Sequence, residues 1–234
     1  MTTGEAERRQ LDIRVERFSF NTRLKSIFFP IDYSDITEVL REAGFTIPPS
    51  LADRTPGLPL GARLIMSGPI AQKDDLRFQM IPDRGIIGID GRDIQKTLDS
   101  FDEVEDLIRQ RLRVDLRQEA LFYELIGEFS IPAATDPINA ISRLFKGAPH
   151  LQRFSEILAT EVSNYGIRLV PSGKAPNKEE WFDFTIEPSV SLPRVNYIGR
   201  AVLRSAQREK VAASARTLVD TIRNLVSVIE TDLP

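Results

Sequence analysis

The chain has 234 residues, of which 41% are hydrophobic and 28% charged, with a formal net charge of −3; that suits one large globular domain or two of about 115 residues. It has no cysteine, which excludes disulfides, zinc–thiolate centres, iron–sulfur clusters and a cysteine nucleophile, and its single histidine excludes a two-histidine metal site within one chain. No apolar run approaches the roughly 18 residues of a membrane span. The opening MTTGEAERRQ lacks the apolar stretch of a secretory signal, so residues 1–10 are expected to be a flexible tail on a cytoplasmic protein.

Of 31 basic residues, 24 are Arg and 7 are Lys, and no basic block stands out. A general polyanion-binding face is therefore not expected.

Asp12 to Phe20 alternates apolar and polar residues and predicts a strand. Its phase slips between Val15 and Phe18, which predicts a bulge. Extended chain continues over Lys25 to Phe29. A helix is expected from Asp35, with Asp35 and Glu38 at capping-box spacing and an apolar stripe of Ile36, Val39, Leu40 and Ala43. Gly44 ends it as the residue past the C-cap. Ile47 to Leu60 carries four prolines and predicts a long loop. Three strands follow, at Arg63 to Met66, Leu76 to Ile81 and Gly85 to Ile89, with Leu76, Phe78 and Met80 on one face. Asp83-Arg84-Gly85 and Asp90-Gly91 have turn chemistry. A helix is predicted from about Ser100 to Leu116, with Phe101, Val104, Leu107, Ile108 and Leu112 on one side.

Leu121 to Ile131 is the strongest strand pattern in the chain, placing Leu121, Tyr123, Leu125, Phe129 and Ile131 on one face. Thr135-Asp136-Pro137 opens a short helix, with Pro137 suited to the first turn. A second helix is expected from about Leu151 to Ser163 with Phe154, Ile157, Leu158 and Val162 inward. Strands recur at Arg168 to Val170, Trp181 to Ile186 and Arg194 to Arg204. The last element is a helix from about Ala206 to Glu230, in which Val211, Ala215, Leu218, Ile222, Leu225 and Ile229 form a heptad seam. That seam offers a homodimer interface, or else packs along the protein's own sheet.

The chain also repeats itself. GARLIMSGPIAQKDDLRFQMIP, residues 61–82, aligns with GIRLVPSGKAPNKEEWFDFTIEP, residues 166–188, at 8 identical positions once one residue is skipped at Trp181. The order strand, helix, three strands, helix therefore occurs twice, in a first repeat over 11–117 and a second over 118–234. This predicts an α+β fold with a mainly antiparallel sheet, helices on one face and a pseudo-twofold axis between the halves.

The repeat supplies the candidate site residues. Ser67-Gly68 with Lys73, and Ser172-Gly173 with Lys178, have the chemistry of backbone anion cradles backed by a cation; equally, they suit hairpin connections whose lysines are solvated. Arg63 and Arg168 start matching strands, where they would bind an acidic group or pair with the acidic doublets Asp74-Asp75 and Glu179-Glu180. Trp181 shares its strand face with Asp183 and Thr185, so it marks a binding surface if exposed. His150 has no partner in view for acid–base work. No metal-ligand pattern, nucleotide loop or nucleophile motif is present, so no cofactor is expected.

The duplicated order is similar, in topology alone, to the saddle of TATA-box-binding proteins, and that resemblance would imply a nucleic-acid partner. The acidic net charge and few lysines oppose it. The favoured reading is a non-enzymatic binding or scaffold protein that recognises a protein segment on an open sheet face or in the groove between the halves. A small-molecule binder or enzyme with its site under the 47–60 loop is the alternative.

Overall fold

A computed structural model of the chain describes residues 12–25, 30–48, 69–176 and 179–231. The tail at 1–10, the predicted strand at 63–66, most of the 47–60 loop, and the site residues Arg63 and Lys178 lie outside them. The described residues form an α+β fold: a single antiparallel sheet of eight strands with seven α-helices. Among these residues no helix is long and apolar enough to cross a membrane.

The sheet runs β2-β3-β4-β1-β5-β8-β7-β6. The long central strands are β1, Arg14–Leu24, and β5, Ala120–Pro132. On one side lie β4 (Ile86–Gly91), β3 (Leu76–Ile81) and β2 (Ala71–Lys73). On the other lie β8 (Asn196–Ser205), β7 (Trp181–Pro188) and β6 (Ile167–Leu169). The predicted phase slip in β1 is a bulge: Val15 opposes Phe129, and the next paired residue, Arg17, opposes Glu128. Glu16 is the extra residue, and the shift brings Val15 to the same side as Phe18 and Phe20, against the core.

One face of the sheet is the core. The period-two pattern puts Phe18 and Phe20 of β1, Phe78 of β3, Ile87 and Ile89 of β4, and Phe129 of β5 at no more than 1% exposure. Each of these large side chains contributes about 2–3 kcal/mol relative to exposure. Helix α1, Tyr33–Glu42, buries Ile36, Val39 and Leu40, and Gly44 takes the left-handed φ of +80° that ends it. Helix α2, Ile94–Leu107, is capped by Asp93, which accepts from the Lys96 amide at 2.9 Å. It runs on into a π-turn at Ile108–Leu112 that stops at Arg113, φ +57°. After the single turn α3, Leu116–Glu119, and strand β5, Asp136 caps α4, Pro137–Leu144, with Pro137 in its first turn as expected. Helices α6, Arg208–Arg216, and α7, Leu218–Glu230, close the fold.

Several local expectations differ from the structure. Asp90-Gly91 is no turn but the end of β4, paired with Phe18 and Ser19, because the chain reverses only after Gly91. The capping box fails: the N-cap of α1 is Asp32, so Asp35 and Glu38 lie inside the helix. Helix α2 starts at Ile94, since the Asp93 cap overrides the later apolar start. The strand β2 escaped the sequence pattern; it is held by a hairpin through Asp74, φ +54°. The predicted inward stripe of 151–163 points out: α5, Pro149–Leu158, buries nothing, and Phe154, Ile157 and Leu158 are 51–69% exposed. Finally, Thr217 divides the terminal helix in two, and Val211, Ala215, Leu218, Ile222 and Ile229 of its seam are buried within the chain.

A buried ionic cluster ties α2 to α6 and β5. Glu105, 3% exposed, accepts from Arg117 Nε at 3.0 Å, lies 3.3 Å from Arg208 Nε and faces the Tyr123 hydroxyl at 3.5 Å. Arg208 also meets Asp102 and lies over the Phe20 ring. Burial pushes the Glu105 carboxyl up, and the Arg117 hydrogen bond only partly offsets this.

Candidate binding face

Because α2 and α6 pack on the sheet side that carries Phe20, Tyr123 and Leu125, the alternate residues of the same strands form the opposite face, which these two helices leave open. The register assigns them. On β1 they are Arg17, Ser19, Asn21 and Arg23; on β5, Phe122, Glu124, Ile126 and Glu128. The neighbouring strands add Arg77, Gln79 and Asp90, Arg200 and Arg204, and Trp181, Asp183 and Thr185.

This face is a lattice of arginine–carboxylate pairs. Arg77 and Asp90 are direct cross-strand partners, 2.8 Å apart. Asp90 is 1% exposed, takes a hydrogen bond from Gln79 and has Arg17 Nε at 3.7 Å. Burial drives its carboxyl upward more strongly than Arg77 and Arg17 draw it down. Glu124 and Arg204 are likewise direct partners, with Arg204 Nε donating at 2.9 Å, and Arg204 stacks 4.4 Å from the Phe122 ring centre. At the far edge Arg168 forms a two-pronged contact with Asp183, at 3.0 and 2.6 Å.

Between the first two pairs the face sinks into a hollow of about 540 Å³ that spans β3, β4, β1, β5 and β8. Ser19 and Asn21 form its floor. Opposite Asn21 stands Gly88, where a Cβ would overlap Asn21 Oδ1 and lie 3.0 Å from the Phe20 carbonyl oxygen. The missing side chain lets Asn21 lie flat and keeps the floor low. Ile81, Ile86 and Phe122 share one cross-strand row with Arg23 and line one end, Ile126 lines the other, and Arg17, Arg84 and Arg204 line it as well.

The residues singled out from sequence fall in different places. Arg168 and the half-buried Trp181 sit on the open face, Trp181 opposite Arg204. Arg168 pairs with Asp183, not with Glu179-Glu180; Glu180 instead binds Lys210 and Ser205, both at 2.5 Å. Lys73 serves the helical side: its Nζ donates to the Ala43 carbonyl at 2.7 Å, pairs with Glu103 and lies over Phe45. That satisfies one of the carbonyls left open at the end of α1. Asp74 and Asp75 are held by Lys96, and His150 is an exposed residue in the first turn of α5. Among the described residues no cluster of His, Asp and Glu has the form of a metal site.

Asp90, Glu124, Arg17 and Arg204 were not found from the sequence. The signal was present in the alternation of Glu124 and Glu128 with apolar residues in β5, and of Arg200 and Arg204 in β8. What a single strand does not carry is the register that sets Glu124 against Arg204. Compared with protein-family models and with curated proteins, the sequence matches none.

Proposed function

We propose that the chain is a non-enzymatic binding protein that takes an extended protein segment on the open face of its sheet. The observation that carries this reading is the hollow across five strands: low and polar along its floor, apolar at both ends and lined by arginines. Its width supports the reading. Five strands about 4.8 Å apart span about 19 Å, the length of about six extended residues. The carboxylates set among the arginines at Asp90, Glu124 and Asp183 favour a protein over a phosphate backbone, which they would repel.

The same reading treats the chain as a tandem duplication, 11–117 followed by 118–234. The strand order supports it: outward from the centre the sheet reads β1-β4-β3-β2 on one side and β5-β8-β7-β6 on the other. The hollow would then lie across the join.

The test is selection of random peptides displayed on phage, using the wild-type chain and Asn21→Trp, which fills the floor beside Gly88. The reading predicts peptides enriched on the wild type and not on Asn21→Trp at equal thermal stability. Enrichment that ignores Asn21→Trp, or no enrichment, contradicts it.

A further inference from the structure

Resting on the reading of the hollow as a segment-binding site, we infer that the segment it takes is acidic, with carboxylate side chains meeting Arg23 and Arg84 at the end of the hollow that carries Ile81, Ile86 and Phe122. The charges within the hollow are unequal. Four arginines line it against two carboxylates, Asp83 and Glu124. Glu124 is committed to Arg204, and Asp83 is also engaged. Arg17 is spent on buried Asp90. That leaves Arg23 and Arg84, both exposed, with no carboxylate partner among the described residues.

The two residues differ from ordinary solvated cations in their setting. Arg23 leaves β1 on the open face with its guanidinium 5.9 Å from the Phe122 ring centre, a ring already stacked by Arg204 on closer terms. Arg84 stands on the 3-10 turn Pro82–Arg84 that joins β3 to β4, and Gly85, φ +62°, fixes the direction in which that turn leaves. The Leu24 amide donates to the Gly85 carbonyl at 2.8 Å, which ties the turn to the end of β1. Both cations are therefore carried by one hydrogen-bonded corner, and their planar donor forks suit two-pronged binding of carboxylates.

An extended segment presents alternate side chains to opposite sides. With the acidic side chains turned toward the arginines, the residues between them face away, where β-branched apolar residues favour the extended form. The occupant that fits is a segment of about six residues in which acidic and β-branched apolar residues alternate.

The probe is fluorescein-labelled acetyl-Glu-Val-Glu-Val-Glu-Val-amide, titrated with the full chain and followed by fluorescence anisotropy, beside the matching Lys-Val peptide. The inference predicts saturable binding of the Glu peptide, weakened at least tenfold in Arg23→Glu/Arg84→Glu and several-fold between 50 and 300 mM salt, as expected for exposed charges. The Lys peptide should bind at least tenfold more weakly to the wild type. Both substituted residues are exposed, so the double variant should melt within a few degrees of the wild type. Equal affinity for the two peptides, no binding of the Glu peptide, or no loss in the double variant overturns the inference. The broader reading is judged separately: if phage selection on the wild type enriches peptides that are blocked by Asn21→Trp but are not acidic, the segment site stands and its acidic preference falls.

Discussion

Glu124 and Arg204 face each other directly across β5 and β8, and the same guanidinium lies 4.4 Å from the centre of the Phe122 ring. Both side chains are at most 20% exposed, so neither is freely solvated when its partner is removed. Arg204→Ala is expected to cost about 1–3 kcal/mol, because it leaves Glu124 unpaired and uncovers Phe122. Arg204→Ala combined with Glu124→Gln should recover part of that loss. Urea unfolding of the two single variants and the double variant checks this, and strictly additive costs would show that the pair is uncoupled.

How much of this was legible beforehand depended on the range of the interaction. The Phe18–Phe20 side of β1, the Tyr123–Ile131 side of β5, the Asp136-Pro137 helix start and the Gly44 stop are set by residues within a few positions of one another, and the sequence shows them. Asp90 misled, because Asp-Gly is turn chemistry unless a partner strand claims it; Ser19 of β1 and Arg77 of β3 do so here. Phe154, Ile157 and Leu158 misled for the opposite reason. Their spacing is that of a buried stripe, and the packing that would bury them is not made within the described chain. The open face needed the register of five strands, which no single stretch encodes.

Gly88 should not tolerate a side chain. A Cβ there collides with Asn21 Oδ1 and lies 3.0 Å from backbone, so Gly88→Ala is expected to cost about 1–3 kcal/mol. Asn21→Ala in the same chain should return a good part of it, since the worst overlap is with that side chain. Thermal or urea denaturation of the three variants measures the effect, and a Gly88→Ala chain as stable as the wild type would contradict it.

Ile157 and Ile141 should respond oppositely despite similar helical settings. Ile157 is 69% exposed and Ile141 fully buried. Ile157→Gln is expected to change stability by less than about 0.5 kcal/mol, whereas Ile141→Ala should cost about 2–5 kcal/mol. Comparable losses at both positions would place the outer side of α5 in the core.

Glu105 should make a pH-dependent contribution of unusual sign for a carboxylate. Its folded-state carboxyl is raised above the ordinary value of 4.5, chiefly by burial, so the folded chain binds the proton more tightly than the unfolded chain. The contribution is present in full below about pH 4.5 and is lost as pH rises through the folded value. Melting temperatures at a series of pH values from 4 to 8, for wild type and Glu105→Gln, test this. The wild type should lose stability relative to the variant as pH rises through that window. A relative gain would contradict the burial of an ionisable Glu105.

The central claim is that the open face of the sheet, at its hollow, is where the chain binds its partner. The most direct measurement is chemical-shift mapping on the isotopically labelled chain with a peptide obtained by selection on the wild type. The account predicts that perturbed amides centre on Ser19, Asn21 and Arg23 of β1 and on Phe122 to Ile126 of β5, with α5 and the β6 edge unmoved. Perturbations confined to the edge strand β6 or to the outer side of α5 would contradict it and move the binding surface to the flank of the molecule.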